Sequence, residues 1–333
     1  MKLVGERAAA KFRALMAPAP PVGTDADAPW EIPPRGWWQA LKRCRHEAMT
    51  DNLALIAAGV AFYGFLALVP LLGALVLTYG ILVDPVDAAR HIRELTRLVP
   101  ADAARLIADQ LENIVRTSAG KKGLGLLLAL GLSLYGAMKG AEAMITALNI
   151  VYEEREKRGL VQLVVLQAQM TVAAVGVAIL MLSAATLSAA LEAWAGGFAA
   201  VAVTGAKLFG WLLAASISSA AIAALYRVAP SRHVARWQWV APGAVLATFA
   251  MVATSGGFGW YAANLGSYNT TYGSLGAVVV LMLWLWLSAY GLLLGGELNA
   301  ELERQTERDT TTGPELPMGQ RGARMADLAA PAG

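Results

Sequence analysis

Charge is missing from long stretches of this sequence. No Asp, Glu, Lys or Arg occurs in residues 52–83, 159–191 or 237–296, runs of 32, 33 and 60 positions in a chain of 333. A spanning helix takes about 20 predominantly apolar residues, so the first two runs each hold one span and the third holds two with a turn between. Charged residues make up 15% of the chain and hydrophobic ones 57%, with a mean hydropathy of +0.50, whereas soluble domains carry about 25% charged residues. The pattern excludes an ordinary soluble fold.

Cysteine is almost absent as well. Cys44 stands alone, which excludes an intramolecular disulfide and a cysteine-rich metal site. Lys42, Arg43 and Arg45 beside it allow a thiol of lowered pKa, but a plain buried or interfacial thiol is the favoured reading. The three histidines, His46, His91 and His233, fall in different segments and cannot jointly hold a metal. There is no glycine-rich loop followed by Lys and Ser or Thr, and no His-Glu-x-x-His pair. No catalytic, cofactor-binding or metal-binding residue is assigned, and an enzyme is not expected. The first sixteen residues lack an uninterrupted apolar run, since Lys2, Glu6, Arg7, Lys11 and Arg13 break it up. A cleavable signal peptide is not expected there, and the first span directs insertion.

What is present divides the chain into three parts. Residues 1–36 read as a cytoplasmic extension: an amphipathic helix or a frayed terminus over 1–16, then an extended linker holding Pro18, Pro20, Pro21, Pro29, Pro33 and Pro34. Residues 37–304 read as an all-α, integral-membrane bundle of six transmembrane helices, at about 53–83, 123–151, 160–191, 207–226, 237–261 and 273–299. Trp37 and Trp38, followed by Lys42, Arg43 and Arg45, form an amphipathic approach to the membrane surface. Pro70 near the middle of span one predicts a structural kink. Between spans one and two, residues 84–120 predict a short amphipathic helical segment outside the cytoplasm. Ala88, Ile92, Leu95 and Val99 share one face, and Leu106, Ile107, Leu111 and Ile114 share another. Residues 305–333 are polar and read as a disordered cytoplasmic tail. With the N terminus inside, the inner segments carry 18 Lys and Arg and the outer ones 8. This bias places both termini in the cytoplasm. It also accounts for the net charge of +3 and the pI near 9.0 without a nucleic-acid partner.

Two places break the apolar pattern. Lys139 and Glu142 lie three residues apart in span two, on one helix face. Lys139 is about thirteen residues, or about 20 Å, from the cytoplasmic end of the helix. Ionisable groups at such depth are costly and by default functional. They line a polar cavity or a substrate or proton pathway, or they form a structural pair between helices. A cavity beside them favours the first reading and burial between helices the second. The other place is the connection before span six, where Ser267, Tyr268, Asn269, Thr270, Thr271 and Tyr272 adjoin Gly273. Polar non-helical backbone near membrane depth is tolerated where it is buried in protein or lines a wet cavity; an exposed outer loop is the alternative. Glu297 and Asn299 are expected to reach the interface, and Trp284 and Trp286 to face different sides of their helix. Glu153, Glu154 and Glu156, interleaved with Arg155, Lys157 and Arg158, read as a solvated helix end rather than a two-metal acidic cluster.

Four stretches carry a family likeness: Ala58 to Leu72 (AGVAFYGFLALVPLL), Tyr135 to Tyr152, Leu225 to Pro242 (LYRVAPSRHVARWQWVAP), and above all Ser267 to Glu301 (SYNTTYGSLGAVVVLMLWLWLSAYGLLLGGELNAE). Over about residues 40–304 the chain resembles the YihY/BrkB family of bacterial inner-membrane proteins. The resemblance implies a six-helix, multi-pass domain of the bacterial inner membrane with no established reaction. It brings links to virulence and serum resistance, to envelope lipid or lipopolysaccharide export, and an old label, ribonuclease BN, that the residues above do not support. Matching positions are Phe62, Tyr63, Pro70, Asn149, Tyr152, Tyr226, Pro230, Pro242, Tyr268, Asn269, Tyr272, Gly273, Glu297 and Asn299, none with a role to transfer. The Lys139 segment departs from the Ser- and Arg-containing segment more usual in the family. The expected function is a transporter or flippase-like factor for an envelope lipid or amphipathic solute, in contact with membrane lipids. Its candidate polar pathway comprises Tyr63, Lys139, Glu142, Asn149, Tyr268, Asn269, Tyr272 and Glu297. A non-transporting scaffold or accessory factor in envelope assembly is the main alternative, and a tRNA-processing ribonuclease the least favoured one.

Overall fold

The computed structural model describes residues 22–79, 124–195, 200–265 and 274–331. Among them are seven α-helices: α1 (Pro34–Thr50), α2 (Leu53–Tyr79), α3 (Leu124–Val151), α4 (Leu160–Ala195), α5 (Ala200–Val228), α6 (Trp237–Leu265) and α7 (Ser274–Gln305). Short 3-10 turns lie at Pro29–Glu31 and Met325–Asp327. Stretches of α4, α5, α6 and α7 are long and apolar enough to cross a membrane, and the bent pair α1–α2 would make a fifth. The protein is thus an all-helical membrane protein. The predicted amphipathic segment 84–120, the N-terminal stretch 1–16 and the connection around Tyr268, Asn269 and Tyr272 lie outside the described residues.

The amphipathic approach predicted after Trp37 is α1. Pro34 opens it, at a position where a missing N–H costs nothing. Gly36, Ala40, Cys44 and Ala48, each four residues on, form its buried edge, and α1 lies along α7. Its end is made by Asn52 at φ 54, a left-handed conformation that Asn tolerates better than most residues. The chain bends there by 66° into α2. Pro70 lies farther along, within α2 itself.

From α2 onward each helix packs on the next, and α7 closes the circle against α2. The α6–α7 and α2–α3 pairs are the most extensive. Lipid tails are as apolar as Leu, so helices associate in a bilayer through close packing and hydrogen bonds, and small residues permit the approach. Gly291, Gly295 and Asn299 share one edge of α7. A Cβ on Gly291 would press on Ala250, and one on Gly295 would overlap the Gly243 carbonyl and the Tyr226 hydroxyl. Pro242 interrupts the donor series of α6. The next N–H, of Gly243, donates to Asn299 Oδ1 at 2.7 Å, and Asn299 Nδ2 donates to the Val240 carbonyl at 3.1 Å. The two indoles of α7 tie it to both neighbours: Trp284 Nε1 donates to Ser255 at 3.1 Å and Trp286 Nε1 to the Ala54 carbonyl at 2.8 Å.

Two expectations give way at one end of the bundle, where residues 152–159 and 229–236 connect the helices. The linker before α1 is docked rather than free: Ala26 and Ile32 are buried in a cluster with Trp239, Leu298 and Leu302. The predicted disordered tail is folded as far as residue 331. Thr312 N–H donates to the Val234 carbonyl and Arg236 N–H to the Thr310 carbonyl, both at 2.9 Å, around an Ala235–Thr311 bridge. The buried Arg321 guanidinium donates to the carbonyls of Glu307, Arg308, Leu316 and Ala326. One five-donor side chain thus collects the backbone of a segment too poor in apolar residues to form a core alone. Asp309 does similar work, accepting from the N–H groups of Thr311 and Leu316, each at 2.9 Å, and from the Thr311 hydroxyl at 2.8 Å.

Two consequences are measurable. Gly295→Ala should lower stability by about 1–3 kcal/mol, the usual cost of overpacking, read as an earlier thermal transition in detergent; an unchanged transition would refute the close crossing. Burial raises the Asp309 pKa, but the Leu316 and Thr311 N–H groups outweigh it and hold the carboxylate below its ordinary range. A depressed folded-state value contributes stability above the unfolded value and loses it as pH falls through the folded one. Tail docking should therefore be constant from neutrality down to about pH 4 and weaken below. Protease nicking of residues 305–331 across that range, with Asp309→Asn nicked already at pH 7, is the check.

Candidate functional site

The polar residues that interrupt α3, Lys139 and Glu142, face outward, along the seam between α2 and α3. Here a Cβ on Gly140 would press on Ala67, and one on Gly136 would press on the Pro70 ring. Toward the end of the bundle that the linker, the loops 152–159 and 229–236 and the tail cover, here called the capped end, the helices leave a groove of about 420 Å³, lined by Ile56, Gly59, Val60, Tyr63, Lys139, Glu142, Ala143, Thr146, Ala147 and Ile150. Lys139 Nζ and Glu142 Oε2 are paired at 2.7 Å, with 59% and 44% of their side chains accessible. Tyr63 is also exposed, at 44%, and the Lys139 ammonium lies within the electrostatic reach of Tyr63 and Tyr135. The pair therefore forms the wall of an open groove. It is not an ion pair enclosed between helices.

Asn149 and Glu297 belong elsewhere. At the capped end α3 stops in a Schellman turn: Glu153, at φ 52, donates its N–H to the Ile150 carbonyl at 2.9 Å, and Glu154 donates its N–H to the Asn149 carbonyl at 2.7 Å. The Asn149 side chain donates to Glu156 at 2.9 Å and accepts from the Ser231 N–H at 2.7 Å, joining the loop after α3 to the loop after α5. Glu297 is 2% exposed on α7. Its Oε2 has no hydrogen-bond partner among the described residues, so it does not reach out to an interface. Of the sequence candidates, Tyr63, Lys139 and Glu142 come together; Asn149 and Glu297 do not join them.

The stretch 153–158 is solvated only in part: Arg155, Glu156 and Lys157 are exposed, whereas Glu154 is buried. Arg158 donates to the carbonyls of Val228, Ala229 and Pro230, which terminate α5, a favourable place for a cation at the negative end of a helix. Glu156 accepts from the Arg158 N–H and from Asn149. Burial raises its pKa, but these donors and Ser231 overcome that and hold it below the ordinary value. Glu154 is buried, accepting from Lys157 and from the Arg324 N–H of the tail.

The deepest element of the capped end has no counterpart among the sequence candidates. Arg232 forks onto Glu303 at 2.7 and 2.9 Å, with both side chains wholly inaccessible. The guanidinium lies 4.3 Å from the Tyr152 ring centre, and Thr310 donates to Glu303 at 2.9 Å. Beside it Arg43 pairs with Glu301 and donates to Gln305 at 2.7 Å. Glu301, Glu303 and Gln305 look like the solvated exit of a helix, and only the family likeness over Leu225–Pro242 marks Arg232. Among the described residues, no group of three or more His, Cys, Asp or Glu side chains is placed to hold a metal ion.

Comparison with known proteins agrees with this membrane architecture. A family profile described as virulence factor BrkB matches residues 45–317. The chain is 27% identical over 254 residues to the ribonuclease-like protein YfkH of Bacillus subtilis strain 168, a match covering 75% of this chain and 90% of that one. It is 39% identical over 108 residues to a UPF0761 membrane protein of Tolumonas auensis, covering 32% of this chain and 35% of the relative. It is also 39% identical over 95 residues to a UPF0761 membrane protein of Xanthomonas axonopodis pv. citri, covering 28% and 22%. The chain thus matches about a third or less of the length of these UPF0761 relatives. No solved structure matches.

The capped end predicts a specific asymmetry. Glu303→Gln leaves Arg232 buried without its counter-charge and should cost about 3–5 kcal/mol, whereas replacing both partners by apolar residues of similar volume should be far less costly. Thermal unfolding of the two variants in the same detergent distinguishes them, and equal losses would count against a buried, mutually neutralised pair.

Proposed function

Since the chain belongs to the virulence factor BrkB family of membrane proteins, we propose that it is a six-span protein of the bacterial inner membrane, acting as a transporter or flippase-like factor for an envelope lipid or amphipathic solute. In this reading α2 to α7 are the six spans, both termini are cytoplasmic, and the capped end is the cytoplasmic one. Residues 80–123 then lie outside the cytoplasm. The 27 and 28 residues of α2 and α3 support the count, since about 20 are enough to span. Of the Lys and Arg, 18 fall in inner segments and 8 in outer ones, which supports the orientation.

One observation carries the functional reading: the Lys139–Glu142 pair lines an open groove in the middle of a spanning helix. Ions held purely for structure are enclosed and paired with each other, as Arg232 and Glu303 are. An accessible pair at membrane depth, amid an apolar lining, suits a headgroup or polar solute whose tail stays among apolar neighbours. Tyr63 belongs to the same path. The scaffold reading rests on a different observation, the ordered assembly of linker, loops and tail at the capped end, which offers a fixed surface to another protein. The relative named as ribonuclease-like suggests RNA cleavage, and the absence of a metal-ready side-chain group among the described residues gives that reading no support.

The test is reconstitution. Proteoliposomes holding the wild type should equilibrate a fluorescent envelope phospholipid between leaflets faster than protein-free vesicles, and Lys139→Ala should slow this about tenfold, the kinetic scale of one lost charge-assisted contact. Equal rates with and without protein, across the envelope lipids, would sink the transport reading.

A further inference from the structure

The groove has a polar stripe that its function as a general pathway does not explain. On α3 the accessible face runs through Leu128, Leu132, Tyr135, Lys139, the half-exposed Glu142, Thr146 and Ile150, a spacing of three and four that keeps one side of a helix turned outward. Tyr135, Lys139, Glu142 and Thr146 put hydroxyl, ammonium, carboxylate and hydroxyl in sequence down that face. At 1.5 Å per residue these four cover about 16 Å, a good part of a hydrocarbon core about 30 Å thick. Across the seam α2 contributes Tyr63 and, at Gly59, a position where an added Cβ would meet nothing within 4 Å. The rest of the lining, Ile56, Val60, Ala143, Ala147 and Ile150, is apolar.

The charges in this stripe are of both signs and sum to zero. Thr146 already donates to the Glu142 carbonyl at 3.0 Å, so its hydroxyl is partly committed to its own helix. The exchangeable groups are the Lys139 ammonium and the Glu142 carboxylate, bound so far only to each other among the described residues. Side chains three apart on a helix have their Cβ atoms about 5–6 Å apart. That is the scale of the separation between the phosphate and the amine of a phosphatidylethanolamine headgroup.

Resting on the transport reading for its biological purpose but not for its chemistry, we propose that the α2–α3 groove is a binding site for a zwitterionic phospholipid with a primary amine. Lys139 donates to the lipid phosphate, and the lipid ammonium donates to Glu142. One pair opens and two charge-assisted pairs form. An anionic lipid such as phosphatidylglycerol satisfies Lys139 but sets its phosphate against Glu142 with no ammonium to answer the carboxylate. A neutral diacylglycerol answers neither. The acyl chains lie on the apolar lining and outward among the surrounding lipids, which the lateral opening of the groove allows. Charge complementarity thus selects the headgroup, and the exposed apolar face accommodates the tails.

Native mass spectrometry of the full chain, released from detergent containing equimolar phosphatidylethanolamine and phosphatidylglycerol, tests this without any transport step. The wild type should retain phosphatidylethanolamine over phosphatidylglycerol about fivefold, the scale of one partly exposed charge pair. Glu142→Gln should bring the ratio near one, and Lys139→Met should lower retention of both lipids while keeping the preference, with thermal transitions unchanged because both side chains are accessible. The exchanged variant, Lys139→Glu with Glu142→Lys, should keep the preference. A ratio near one in the wild type, or the same preference in all variants, overturns the assignment. So does disulfide capture of a dimer through Ile150→Cys in a Cys44→Ala chain, since a second copy would then occupy the groove. If lipid movement fails while the retained-lipid ratio holds, the transport reading falls and the binding site stands; the opposite result removes the binding site alone.

Discussion

The close approach of α6 and α7 at Gly243 and Gly295 is the constraint on which the remainder of the bundle depends. Within a bilayer nothing drives two apolar helices together as water does, so contact must come from backbone proximity and hydrogen bonds. The missing Cβ atoms supply the proximity, and room for the Tyr226 hydroxyl comes with it. That hydroxyl donates to the Leu292 carbonyl of α7 at 2.5 Å and so ties α5 to the pair. Asn299, on the same edge of α7 one turn beyond Gly295, answers the backbone of α6 beside Pro242. Once α6 and α7 are fixed in register, Glu301, Glu303 and Gln305 arrive where Arg43 and Arg232 can meet them. The ion pairs of the capped end are therefore consequences of the helix crossing. They are poor candidates for its cause, since burying charge rarely yields net stability over an apolar alternative.

The same end links the groove to the rest of the molecule. Helix α3 carries Lys139 and Glu142 on its accessible face and finishes in the Asn149–Glu154 turn, which holds Ser231 of one loop and Arg324 of the tail. Helix α2 forms the other wall and begins at the Asn52 bend, from which α1 runs back along α7. Both walls are thus anchored at the capped end, by different segments. A change in how the tail or α1 docks has a physical route to the width of the groove through these two anchors.

Much of this was legible in the sequence, and the parts that were not share a cause. Charge-free runs revealed the helices, and the starts at Leu53, Leu160 and Trp237 agree with the structure because apolar character begins abruptly within two residues of Asn52, Arg158 and Arg236. That Lys139 and Glu142 share one face followed from their spacing, and the accessibility of that face did not. What failed was the polarity rule at the capped end. Glu303, Arg321 and the Pro-rich linker look solvated because composition treats charge and proline as signs of water. Here each charged group meets a partner from a segment distant in the chain, as Arg232 and Glu303 do across 71 positions. No local pattern encodes such a pairing. The Trp284 and Trp286 bonds to two different helices were half visible, since their spacing gave divergent directions but not the Ser255 and Ala54 acceptors.

Two charged regions among the described residues differ in a way that separates structure from function. At the capped end the Arg232 fork is met by Glu303 and the Tyr152 face, Thr310 donates to Glu303, and both charged side chains are inaccessible, so the pair is closed to a ligand. In the groove the ion pair is a single bond between accessible side chains on one helix, among apolar neighbours. A structural pair gains nothing from this arrangement: it bridges no two helices, and on one helix such a pair supports the coil by only about 0.2–0.5 kcal/mol. Holding an ammonium and a carboxylate in an otherwise apolar helix for so small a return makes sense when something else completes their coordination. The sequence marked Lys139 and Glu142 because they interrupt an apolar helix, and the structure gives that interruption a groove.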